Sequence, residues 1–117
     1  MKQNTFLKSF EYAINGLRTA FSERNFRLHI ISTFLVIALG LFLNITKIEW
    51  VLILLCIGMV VSMELINTAI EEIVDFVSPG RHEKAGKIKD LAAAAVLIVS
   101  IVAFIIAIII FIPYLPI

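Results

Sequence analysis

Cysteine is almost absent from this chain. The single thiol, Cys56, lies among leucines and isoleucines, where it behaves as a small apolar group. One cysteine excludes an internal disulfide, a CxxC redox pair and a cysteine-based zinc site. Glycine-rich phosphate loops are missing as well. Glycines 16, 40, 58, 80 and 86 form no GxGxxG, and the stretch from Gly80 to Lys87, G-R-H-E-K-A-G-K, only approaches a P-loop. Its glycines are one residue too far apart, Ile88 stands where a metal-binding Ser or Thr is needed, and no strand precedes it. Any nucleotide site must therefore be assembled from helices and side chains. No compact apolar segment followed by small residues occupies positions 1–27, so no cleavable signal peptide is expected and the first apolar run stays in the mature protein. Internal repeats and low-complexity linkers are absent too.

What remains is strongly apolar. Of 117 residues, 61% are hydrophobic, against about 45 to 50% in soluble domains, and the mean hydropathy is +1.02. The length suits one domain, 1–117, with three membrane-spanning helices of about 20 residues each. The spans are expected at about 28–44, 48–67 and 88–112. The second continues as a helix through Asp75 to the stop signal Ser78-Pro79-Gly80, and the third is closed by Pro113, Tyr114 and Pro116. Ala92 to Ala95, Ser100, Ala103 and Ala107 give the third span small faces suited to close packing. Trp50 and Tyr114 read as interface-belt aromatics.

Ahead of the spans, Phe6, Phe10, Ala13, Ile14, Leu17, Phe21 and, less regularly, Phe26 follow a helical spacing, with Lys8, Glu11, Asn15, Arg18 and Glu23 elsewhere. The pattern predicts an amphipathic helix over about 4–26, lying on the membrane surface. The net charge is only +1, but its placement is uneven. Lys2, Lys8, Arg18, Arg24 and Arg27 precede the first span, and Arg81, Lys84, Lys87 and Lys89 the third. Lys47 is the one cation between the first two, and no charge follows Asp90. The positive-inside rule then puts the N-terminus and the 72–90 segment on the cytoplasmic side of a cell membrane. No nucleic-acid partner is expected.

Four polar residues break the apolar pattern in a regular way. Glu64, Asn67, Glu71 and Asp75 occupy a wedge roughly 80° wide on one helix. An ionisable group within a membrane segment costs about 2.5 to 3.5 kcal/mol and is by default a hypothesis of function. Glu64, at the membrane boundary, can act as a general base toward a lipid alcohol. Further along the face, Glu71 and Asp75 offer hard oxygen ligands of the kind Mg2+ takes in ones and twos alongside phosphates. Arg81, His82, Lys84, Lys87 and Lys89 can neutralise a triphosphate, since phosphoryl transfer depends on positioning and charge stabilisation. The same stripe also suits interhelical hydrogen bonds or an ion path in a non-enzymatic membrane subunit, and the basic loop satisfies the positive-inside rule without a nucleotide.

The stretch Glu64-Leu-Ile-Asn-Thr-Ala-Ile-Glu-Glu-Ile-Val-Asp75, followed by His82 and by Ala85-Gly-Lys-Ile-Lys-Asp-Leu-Ala-Ala-Ala-Ala-Val-Leu97, resembles the signature of the prokaryotic diacylglycerol kinase family. Asn15-Gly-Leu-Arg18 and Glu23-Arg-Asn-Phe-Arg27 extend the resemblance over nearly the whole chain. It implies an all-α membrane protein, a surface helix plus three spans in a homotrimeric bundle, that transfers the γ-phosphate of ATP to a lipid alcohol. It also implies roles for particular residues. Glu64 matches the catalytic base and Asn67 a positioning residue beside it. Glu71 and Glu23 match the Mg2+ ligands, and Lys89 and Asp90 the nucleotide contacts, with Tyr12 and Gly80, Arg81 and His82 also near ATP. Each site in the trimer is composite, closed by the surface helix. Two positions depart from the pattern: Thr5 stands where some members carry an arginine, and His29 where Gram-negative members carry an acid. With Glu23-Arg-Asn-Phe-Arg27 and the ending Phe-Ile-Pro, these features look more like the Gram-positive branch, whose members resemble undecaprenol kinases. Undecaprenol is thus the favoured substrate, with diacylglycerol the alternative.

Overall fold

The structure, a computed structural model, describes residues 5–117. Lys2 and the first residue of the expected surface helix, Asn4, lie outside the described residues. Helix α1 covers Thr5–Ala20, α2 Arg24–Leu43, α3 Lys47–Val77 and α4 Glu83–Phe111, and a 3-10 turn, Ile112–Tyr114, follows. Among the described residues there is no strand. Three of the helices, α2, α3 and the run Glu83–Tyr114, are long and apolar enough to cross a membrane. With 31 residues, α3 is about 46 Å long, well beyond a hydrocarbon layer of about 30 Å. Its last turns therefore project out of the bilayer.

The ends of these helices follow from local chemistry. Asn44 takes a left-handed conformation, φ 55°, and its N–H donates to the Gly40 carbonyl, ending α2. Thr46 and Glu49 then form a reciprocal capping box at the start of α3, with Thr46 N–H donating to Glu49 at 3.0 Å and Glu49 N–H to the Thr46 hydroxyl at 3.2 Å. Ser78, followed by a proline, leaves the helical region and stops α3. His82 begins α4 by accepting, through Nδ1, the N–H of Lys84 at 3.1 Å.

One expectation is corrected. The surface helix stops at Ala20 instead of running to 26, and Phe21, Ser22 and Glu23 form a turn into α2. Apolar spacing continues through this break because the Phe21 and Phe26 rings meet edge to face at 5.2 Å, so both are apolar for a contact across the turn.

α3 packs along α4 more extensively than along α2, and the molecule is a layer of 52 × 44 × 20 Å. A slab about two helix diameters thick leaves broad apolar faces to lipid. The tightest packing lies at the end where α2 turns into α3, where Ile45, Ile53, Ile110 and Phe111 are buried with Trp50 and Tyr114 packed around them. The Tyr114 hydroxyl donates to Glu49, tying the end of α4 to the start of α3. Trp50 is held by more than the interface, because its ring lies over Gly40, where an added Cβ would come within 2.8 Å of it. Gly40→Ala should accordingly cost about 1 to 3 kcal/mol through overpacking, read as a lower unfolding midpoint in detergent.

Candidate active site

The first half of the polar stripe of α3 is buried and its last residue, Asp75, is exposed. Glu64 is 3% exposed and Asn67 7%, and Thr68 is buried beside them. Thr68, four residues after Glu64, falls about 20° beyond the wedge and could have been read from that spacing. Asn67 Nδ2 donates to Glu71 Oε2 at 3.4 Å, a helix-turn pair that fixes the Glu71 carboxylate. The other end of the same amide, Oδ1, is buried with no hydrogen-bond partner. An orphaned acceptor at such a place costs about 1 to 3 kcal/mol and marks where a donor from a bound molecule fits.

Glu64 faces α2. His29 Nε2 lies 3.6 Å from Glu64 Oε1, a contact between two helices that no local periodicity could reveal. The charges of Glu71 and Glu23 also act on Glu64, so the turn after α1 brings its carboxylate into the same neighbourhood. That turn is firmly built. Glu23 N–H donates to Ala20 O at 2.9 Å, Ser22 Oγ to Thr19 O at 2.7 Å, and Arg27 Nη1 to Phe21 O at 2.8 Å. Arg27, one of the cations preceding the first span, is thus a clamp on the turn that carries Glu23, while Phe26 behind it is fully buried.

Asp75, last on the stripe, is engaged elsewhere. Lys89 Nζ, from the second turn of α4, donates to its Oδ1 and bridges the two helices where they leave the membrane. The acidic row is therefore divided: Glu64 pairs with His29, Glu71 with Asn67, and Asp75 with Lys89. Tyr12, Gly80, Arg81, His82 and Asp90 are exposed. Among the described residues no hydrogen bond or ion pair joins them to Glu23, Glu64 or Glu71, and His82 spends Nδ1 on its helix cap.

The donor set suits magnesium in company with phosphate. Among the described residues no group of three or more His, Cys, Asp or Glu side chains is arranged as a metal cage. Two carboxylates on different segments, Glu71 and Glu23, could supply the one or two protein oxygens that Mg2+ usually takes alongside waters and phosphates.

A family model, Prokaryotic diacylglycerol kinase, matches residues 11–111. The chain belongs to the prokaryotic diacylglycerol kinase family. As a member of this family it is a multi-pass membrane enzyme, a lipid kinase for which ATP is the co-substrate. It is 42% identical over 111 residues to the undecaprenol kinase of Bacillus subtilis, covering 94% of this chain and 90% of that one. To the diacylglycerol kinase of Haemophilus influenzae it is 38% identical over 93 residues, 79% of each chain. To that of Escherichia coli K12 the identity is 36% over 100 residues, covering 85% and 82%.

Proposed function

We propose that this kinase phosphorylates undecaprenol at the cytoplasmic face of the bacterial plasma membrane, using ATP and Mg2+. One observation carries the reading: a nearly fully buried Glu64 sits on a membrane helix about two and about three turns from carboxylates that approach water. Undecaprenol is preferred because the identity to an undecaprenol kinase, 42%, exceeds that to the diacylglycerol kinases. The family description favours diacylglycerol as the second reading.

In this mechanism Glu64 accepts the proton of the lipid hydroxyl as its oxygen forms a bond to the γ-phosphorus. The bond from that phosphorus to the β–γ bridging oxygen breaks, and ADP leaves with the electron pair. Asn67 keeps Glu71 in place through Nδ2, and Glu64 is the acceptor of the single hydroxyl proton. Glu71 and Glu23 would hold Mg2+, which when bound neutralises phosphate charge. Lys89 exchanges Asp75 for phosphate oxygens, and Asp90, Tyr12 and the segment Gly80, Arg81 and His82 complete the nucleotide site.

Those last residues come together with the carboxylates through a second chain. A homotrimer supplies it and also covers apolar surface that lipid cannot reach. Phe76 is 90% exposed on the turns of α3 that project past the membrane, with Ile73 and Val77 beside it, an apolar face of the kind that marks an interface.

The test is a side-by-side assay. Purified protein in mixed micelles, given γ-labelled ATP, should label undecaprenol with a higher kcat/KM than diacylglycerol. The reverse order makes it a diacylglycerol kinase, and no labelling of either lipid ends the proposal. Within the same assay Lys89→Ala should raise KM for ATP by about 10- to 100-fold, the usual worth of a charged hydrogen bond. Asp75→Asn should change it far less, because an exposed ion pair contributes little.

A further inference from the structure

Resting on the reading of Glu64 as the base, we infer that His29 is the group through which Glu64 discharges its proton after each turnover. A carboxylate that is 3% exposed and takes a proton from every substrate molecule must hand it on, or the enzyme stops after one cycle. Its neighbours differ in their fitness for that task. Asn67 cannot take a proton, and Glu71 and Glu23 are, in the proposed function, the metal ligands. Imidazole is the side chain best suited to accept and release a proton near neutral pH.

The geometry gives the transfer a direction. His29 Nε2 lies 3.6 Å from Glu64 Oε1, and its side chain is 26% exposed against 4% for that of Glu64. Such a separation is longer than a hydrogen bond and closes by a small side-chain movement or through one water, as acid–base pairs do when substrate binds. His29 also lines a cavity of about 280 Å3 between α2, α3 and α4, whose wall includes Ser32, Thr33, Ser100 and Phe104. Cys56 is the one other titratable side chain on that wall. The route outward runs through the exposed edge of the imidazole in the first two turns of α2. Thr33 Oγ1, donating to the His29 carbonyl at 2.9 Å, braces that part of the helix.

The step balances simply. The lipid O–H proton moves to the Glu64 carboxylate as the new O–P bond forms. It then passes from Glu64 to the lone pair of His29 Nε2, which requires the neutral imidazole to carry its proton on Nδ1. The imidazolium releases a proton to water from its exposed side, and Glu64 is again a carboxylate.

Chemical rescue tests this in the full-length protein, in mixed micelles with whichever lipid alcohol it phosphorylates. His29→Ala should lower kcat by about 10- to 100-fold, with KM for ATP and for lipid within about threefold of wild type, because the relay acts after binding. Added imidazole should restore kcat several-fold in His29→Ala and leave wild type unaffected. Wild-type kcat in a folded His29→Ala overturns the inference. So does a loss that imidazole does not repair, since His29 is then only a packing residue. Should His29→Ala fail to fold, His29→Gln keeps the volume of the side chain, and normal turnover by that variant overturns the relay equally. Glu64→Gln separates the two layers of argument. If it turns over normally the base reading has failed, whereas an inactive Glu64→Gln beside a fully active His29→Ala removes the relay alone.

Discussion

Glu64→Gln is expected to lower kcat by about 10²- to 10⁴-fold, the full contribution of a positioned general base. The substitution keeps the size and most of the polarity of the side chain, so the three spans and the oligomer should form as in wild type, which size-exclusion chromatography in detergent can verify. What the amide cannot do is accept a proton. The lipid oxygen must then attack while still protonated, and only the positioning of the two substrates remains. KM for both substrates should change by no more than about threefold, since a group that acts in the transition state alone affects kcat and kcat/KM equally. The prediction is sharpened by burial: at 3% exposure bulk hydroxide or buffer cannot easily replace the lost base. A Glu64→Gln enzyme with wild-type turnover would sink the assignment, and with it the idea that the buried end of the stripe is where the lipid hydroxyl reacts.

The features legible in the sequence are those that repeat within one helix. Uninterrupted apolar runs of membrane-spanning length appear as long apolar helices because nothing else satisfies the backbone in hydrocarbon. The pair Asn67 and Glu71 is readable because residues four apart share a face. Contacts between segments are hidden. His29 and Glu64 are 35 positions apart in the sequence and on different helices, and Lys89 reaches back across a loop to Asp75. Such pairs depend on how α2 and α4 are rotated about their axes, which a near-uniform apolar surface does not encode. The end of the surface helix at Ala20 was obscured for a related reason. Phe21 keeps the apolar rhythm but serves a ring contact across the turn, so periodicity continues where the helix stops. The turn matters more than a continued helix would, because it is what carries Glu23 toward Glu64.

Glu71→Gln is the second large effect, and it should be distinguishable from the first by its dependence on metal. Glu71 is held by Asn67 and Glu23 by a turn with three backbone-directed hydrogen bonds, so the two carboxylates come from elements that do not need to reorganise when metal and nucleotide arrive. Mg2+ demands near-ideal octahedral geometry and gives up its waters reluctantly. With Glu71 and Glu23 as the proposed Mg2+ ligands, removing one of the two should weaken the metal–nucleotide complex in the site without touching the lipid side. At ordinary Mg2+ concentrations kcat/KM for ATP should fall by about 10²- to 10³-fold, the several kcal/mol that a bound metal supplies. Raising Mg2+ should recover part of that loss in Glu71→Gln and none of the loss in Glu64→Gln. Glu23→Gln should behave like Glu71→Gln, and KM for the lipid should be unchanged in both. A Glu23→Gln variant whose metal dependence matches wild type would leave Glu71 as the sole protein ligand and give Glu23 a structural part in the turn. Equal defects of Glu71→Gln at all Mg2+ concentrations would instead mean that its carboxylate acts on the phosphates or on Asn67 without a metal between them.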